Sequence, residues 1–191
     1  MERMNKNVYK LFFISLFSML LIQCGNGNKF TIAKGKVGSL TTKTTIVELD
    51  KVFSKDSIVK NLSEGSLGNN YFQDDDAYLI FEKGGKHLLT ITPKEQHDSL
   101  STIKSVQIFD NRFKTSLGLS LTSSFEEINL NNKITKVETS LSSATLFIDD
   151  LNVTISLDKE ELGIRNFSTQ KISLEQIPDL AKIKTYIIWF N

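Results

Sequence analysis

The chain is 191 residues long with 23 basic and 22 acidic side chains, 40% hydrophobic residues, two prolines and one cysteine. A net charge of +1 provides no field for gathering nucleic acid or pressing a basic face onto anionic lipid. A lone cysteine excludes an internal disulfide, and two prolines exclude a long proline-rich stalk, so stability must come from a packed core that this length can build.

The first 23 residues divide as an export signal does. Arg3, Lys6 and Lys10 outnumber Glu2, and Leu11 to Ile22 (LFFISLFSMLLI) is then apolar apart from two serines. Twelve helical residues rise only about 18 Å, well short of the roughly 30 Å of hydrocarbon a spanning helix crosses. No small-residue cleavage site of the A-x-A type precedes Gly25. What stands there is Leu21-Ile22-Gln23-Cys24, which resembles the lipobox of bacterial lipoproteins. Leu21, Ile22 and Cys24 match, while Gln23 occupies the place where that class carries Gly, Ala or Ser.

The resemblance implies a signal peptide over 1–23, lipidation of Cys24, and a protein held at the cell envelope through that lipid, at the outer membrane rather than the inner. Each buried methylene contributes about 0.8 kcal/mol, and two or more acyl chains hold a protein that one would release. The alternative for a lone cysteine is a buried free thiol. The G-N-G-N-K that follows gives it nothing apolar to bury beside. Without the signal and its three basic and one acidic residues, 20 basic groups face 21 acidic ones, a net charge of −1.

Residues 24–29 read as a tether, and a single α+β domain is expected over 30–191. It begins at "FTIAKGKVG", strand-like residues punctuated by glycine. Thr45 to Glu48 has capping-box spacing, and Ile46, Leu49 and Phe53 then share a face, which predicts a helix over 45–54. In "AYLIFEKGGKHLLTI" two runs of β-formers flank Gly84-Gly85, so Tyr78–Lys83 should pair with Lys86–Ile91 through a two-residue turn. Pro93 closes the second strand, and "TIKSVQIFD" should return along it.

The pattern then recurs. Gly38-Ser-Leu-Thr with Thr45 and Glu48 has a counterpart in Gly118-Leu-Ser-Leu-Thr with Ser124 and Glu127, the glycines 80 residues apart. Downstream, Leu151, Val153, Ile155 and Leu157 alternate with polar residues after an Asp149-Asp150 turn, a second hairpin. The fold class expected is therefore an antiparallel sheet with short helices, arranged as two pseudo-repeated helix-then-meander halves, 30–110 and 111–191. The G-x-L-T-x-x-T entry at Gly38 to Thr44, with Thr115-Ser-Leu-Gly118-Leu119, also resembles uncharacterised bacterial envelope domains, a likeness that implies no activity. Ser173 to Gln176 should cap a short helix ended by Pro178. Lys184–Phe190 reads as a last strand, and an unpaired edge at Tyr186–Phe190 would favour a binding or assembly role over an enzyme.

Groups able to do chemistry are sparse. His87 and His97 lack H-x-x-x-H or H-E-x-x-H spacing and read as surface histidines. Asp74-Asp75-Asp76, with Glu64 and Asn69-Asn70, lacks the alternation of a calcium loop and reads as a solvated stretch. No serine lies in G-x-S-x-G. Glu126-Glu127, Asp149-Asp150 and Glu160-Glu161 are chain neighbours that point different ways, and the first pair suits the opening turn of a helix. No catalytic residue, cofactor or metal site is assigned. The function expected is a non-catalytic module that binds an envelope protein or a cell-wall component. An envelope hydrolase with dispersed active-site residues is the alternative, favoured if a histidine and the Asp74–Asp76 run met in one deep pocket. A structural or assembly role is the third reading.

Overall fold

The computed structural model describes residues 29–63, 75–164 and 170–191. The proposed signal, Cys24, Glu64, Asn69, Asn70 and Asp74 lie outside them. The chain opens with three two-residue strands, β1 (Ile32–Ala33), β2 (Lys36–Val37) and β3 (Leu40–Thr41), paired in that order as a small antiparallel sheet. A 3₁₀ turn (Ile46–Glu48) runs into the single turn α1 (Leu49–Val52), shorter than the helix expected over 45–54. Glu48 Oε2 accepts from both the Thr45 amide, at 2.8 Å, and the Thr45 hydroxyl, at 2.9 Å.

Eight strands form the main sheet: β4 (Ser57–Asn61), β5 (Ala77–Phe81), β6 (His87–Pro93), β7 (Ile103–Ile108), β8 (Lys136–Thr139), β9 (Ser143–Ile148), β10 (Val153–Asp158) and β11 (Ile183–Trp189). Their spatial order is β4-β5-β6-β7-β11-β10-β9-β8, antiparallel at every junction. The helix α2 (Phe125–Asn131) precedes β8, and a 3₁₀ turn (Leu174–Gln176) precedes β11. The protein is thus an antiparallel sheet with short helices, far richer in β structure than an even mixture of α and β.

Lys83, Gly84 and Gly85 make the β5–β6 turn, one residue longer than expected because Glu82 N–H donates to Lys86 O, and at φ 106° and 86° a side chain on either glycine would be strained. β11 is not an edge. It pairs with β7 on one side and β10 on the other, and Tyr186, Ile188 and the following Phe190 are fully buried. The edges are β4 and β8.

One face of the sheet is dry. Ile80, Leu89, Ile108, Val106, Ile188, Val153 and Ile148 continue across successive strands on that side, and all are buried. The small sheet and helices close over it with Ile32, Val37, Leu40, Leu49, Phe125 and Ile128 in one hydrophobic cluster. Full burial of each such side chain contributes about 1.5–3 kcal/mol, which is the main force holding these short elements in place.

Matched hydrogen bonds tie each helix start to the segment that leads into a strand of its own half, β7 in the first and β11 in the second. Ile46 N–H donates to Ser101 O and Phe125 N–H to Ala181 O, both at 3.0 Å. Val47 N–H donates to Ser99 O at 2.8 Å and Glu126 N–H to Asp179 O at 2.9 Å. Bridges Thr45–Thr102 and Ser124–Lys182 sit beside them.

Candidate functional site

Two places carry groups that a ligand or a reaction would use: a polar knot where β4 ends and β5 begins, and the second, wetter face of the large sheet.

At the knot, Asp76 has no exposed surface. Its Oδ1 accepts from Ser63 N–H at 2.8 Å and Ser63 Oγ at 3.0 Å, and its Oδ2 accepts from His97 N–H at 2.6 Å. His97 holds a left-handed backbone, φ 57°, and its Nε2 lies 3.1 Å from Ser63 Oγ. Burial opposes ionisation of Asp76, but the amides of His97 and Ser63 with the Ser63 hydroxyl outweigh it and hold the carboxyl below its ordinary value. The expectation of a solvated acidic stretch is therefore corrected for Asp76. A buried carboxylate is tolerable here because main-chain donors replace the water it loses. Asp75 does remain at the surface, bonded to Gln96 and Lys104.

Serine, histidine and aspartate are thus together, in a different relationship from a hydrolytic triad. A triad places imidazole between the other two, Nδ1 on the carboxylate and Nε2 receiving the serine proton. Here His97 Nδ1 is 3.9 Å from Asp76 Oδ2, beyond hydrogen-bond reach, and the Ser63 hydroxyl donates directly to Asp76. With its hydroxyl held among Asp76 Oδ1, Gln96 Oε1 and His97 Nε2 and only 5% of its surface exposed, Ser63 is a loop anchor. Among the described residues no three His, Cys, Asp or Glu side chains converge as a metal set.

His87 is also not the surface histidine expected. Its ring is stacked between Phe81, centroids 4.7 Å apart, and Phe109, 3.9 Å apart, beside the register shift between Ile80 and Phe81 that sets Phe81 opposite His87. Burial pulls its pKa down, opposed by a contact of Nε2 with Leu89 O at 3.1 Å. Near that end, Asp110, its side chain fully buried, binds Lys86 at 2.9 Å and Arg112 at 2.7 Å. Arg112 reaches on to Glu82 with both terminal nitrogens and lies 4.3 Å from the Phe30 ring. Arg112 ties the turn after β7 to the β5–β6 hairpin, and sequence reasoning had no signal for it beyond ordinary surface charge.

The second face is read along one row of cross-strand partners: Val59, Leu79, Thr90, Gln107, Ile187, Thr154, Phe147 and Lys136, one from each of the eight strands. All eight keep contact with solvent. Toward β9 and β10 the face hollows into a basin of about 470 Å³, lined by Phe147, Thr154, Ser156, Ile187 and Trp189, with Asn152, Asp149 and Asn191 at the rim. Trp189 is held at both ends: Nε1–H donates to Thr154 Oγ1 at 3.0 Å, and its carbonyl accepts from Asn152 Nδ2 at 3.0 Å. A smaller hollow of about 240 Å³ lies between the small sheet and α1, bordered by the Lys29–Asp56 ion pair.

Of the acidic pairs noted in sequence, Glu126 and Glu127 do open α2, where Ser124 N–H donates to Glu127 Oε2 at 3.0 Å. Asp149 and Asp150 form the β9–β10 turn, and Glu160 and Glu161 lie exposed after β10.

No family model and no curated protein matches the chain. Among solved structures the chain is similar to the crystal structure of the uncharacterized protein yfeY from Escherichia coli, with a TM-score of 0.52 and 11% identity over 83% of this chain and 99% of that one. The likeness shows a shared fold.

Proposed function

We propose that the protein is a lipid-anchored bacterial envelope lipoprotein whose folded part is a non-catalytic binding module. The anchor rests on the sequence: a basic start, a twelve-residue apolar run too short to span a bilayer, and Cys24 at the lipobox position with a polar tether behind it. Among the described residues no helix is long and apolar enough to cross a membrane. The binding role is carried by one observation, the half-open sheet face with its basin around Trp189. Basins that mix aromatic walls with a few fixed polar groups are the usual form of a ligand site. The knot at Asp76 weakens the hydrolase reading, since Ser63 is buried and His97 Nδ1 stands 3.9 Å from the carboxylate that would have to orient it.

The two halves support a further part of this reading. The helix-start bonds of residues 46 and 125 go to residues 101 and 181, so that the donors are 79 apart and the acceptors 80. We infer an internal duplication of a helix-then-meander unit, the two copies joined along β7 and β11.

Metabolic labelling with a fatty-acid analogue tests the anchor. The wild-type chain should take label and Cys24→Ala should take none; equal labelling of the two would remove the anchor.

A further inference from the structure

We propose that the basin around Trp189 binds a neutral saccharide. The inference rests on the binding-module reading above and names the ligand class of that site. The side chains that line it include no lysine, arginine or histidine, and one side-chain carboxylate, Asp149, stands at the rim. The two nearest ammonium groups are already engaged, Lys34 on the Asp149 carbonyl at 3.3 Å and Lys136 with Glu138, so a phosphate or sulfate would have to compete for them, and an acidic peptide would meet the like charge of Asp149.

What the basin does offer is hydroxyl and amide capacity beside a ring. Thr154 Oγ1 accepts the Trp189 indole proton and keeps its own O–H to give. Thr145 Oγ1 and Ser156 Oγ lie 3.1 Å apart, and one proton between them leaves the other hydroxyl proton available. Asn152 spends one N–H on the Trp189 carbonyl and retains its amide oxygen and second N–H. These groups both donate and accept, as the hydroxyls of a sugar do, and a purely apolar ligand would leave them unpaired at a cost.

The ring supplies the other half. A sugar presents axial C–H groups, the positive edge that an aromatic face attracts. Trp189 is partly exposed, and its N–H and main-chain tethers fix the indole, so little side-chain entropy is lost on stacking. Phe147 serves less well, since the Lys136 ammonium already lies 5.3 Å from its centroid.

Trp189 is the only tryptophan of the chain, so its emission reports on this basin alone. The full chain, purified in a zwitterionic detergent without a sugar headgroup, is titrated with the neutral tetramer of N-acetylglucosamine. A saturable change in emission is expected, and inorganic phosphate at equal concentration should leave the spectrum unaltered. Calorimetry should show the affinity of Trp189→Ala reduced at least about ten-fold, consistent with the weight aromatic anchors carry in binding sites. Should that variant fold poorly, Thr154→Val, which removes the hydroxyl and keeps the shape, should also weaken binding.

No change in wild-type emission up to about 10 mM tetramer, an affinity below any useful recognition, overturns the proposal, as does equal affinity in the folded variants. A chain that labels at Cys24 yet ignores the tetramer loses the saccharide and keeps the anchored module. A chain that binds the tetramer without taking lipid label loses the anchor alone.

Discussion

Gln107 and Ile187 face each other across the central ladder between β7 and β11. Their numbers differ by 80, the same interval that separates Ser101 from Ala181, the acceptors of the two helix-start bonds. This is the pairing that the proposed duplication requires, since a two-fold axis perpendicular to the sheet would set a residue opposite its own counterpart. In the flanking pair Val106 meets Ile188, the counterpart of Ile108, so the register is symmetric about this point. Gln107 is half-buried beside Ile187 and Thr90, a position on the pleat where a β-branched side chain packs better than an amide. Gln107→Ile is expected to stabilise the fold by about 0.2–1 kcal/mol, seen as a higher urea midpoint at unchanged slope. A lower midpoint would mean that the amide makes an interaction the cross-strand pairing does not capture.

Asp76 should be among the most sensitive positions. Asp76→Ala strands two main-chain N–H groups and the Ser63 hydroxyl in a buried place, and a loss of about 2–4 kcal/mol is expected from chemical denaturation. The folded carboxyl titrates below its ordinary value, so its stabilising effect is present above the unfolded pKa of about 3.9 and disappears as pH falls through the lower, folded value. Wild-type stability should therefore drop on acidification below about pH 4, with a shallower drop in Asp76→Asn.

Two carboxylates bound by Arg112 should respond differently. Asp110 is fully buried and holds both Arg112 and Lys86, whereas Glu82 is partly exposed. Asp110→Ala should cost about 3 kcal/mol by leaving the guanidinium without its inner partner. Glu82→Ala should scarcely move the midpoint, because water replaces a solvent-facing partner readily. Equal effects at the two sites would contradict the division between an inner and an outer carboxylate.

Tyr186 is wholly buried on β11, and its hydroxyl makes no hydrogen bond to the described residues. An unpartnered buried hydroxyl is a cost that phenylalanine avoids at equal shape. Tyr186→Phe should leave thermal stability unchanged or raise it by an amount equivalent to about 1 kcal/mol. A marked loss of stability would reveal a partner for the hydroxyl.

Strong local signals were legible before the fold was known. The Gly84-Gly85 hairpin, the β7 return strand, the alternation from Val153 to Leu157 and the Ser124–Glu127 box all depend on neighbours a few residues away. β4 and β8 were not, because "SIVKN" and "KVET" are short edge strands with no fully buried residue to mark them. The place of β11 within the sheet stayed open for a related reason. Tyr186, Ile188 and Phe190 announce a strand, but whether a strand is central depends on which partners arrive, and β7 lies about 80 residues earlier. Asp76 was hidden in a run of three identical acids, since only the meeting of Ser63 and His97 singles it out. The basin was invisible because Trp189 and Thr154 are 35 residues apart and read separately as core or edge packing.

The mass of the N-terminal peptide of the chain recovered from membranes tests the anchored-module account most directly. The account predicts a first residue at Cys24, carrying the added mass of a diacylglyceryl group and an N-acyl chain and followed by Gly25. A chain that keeps Met1, or one that begins elsewhere with Cys24 unmodified, would contradict it.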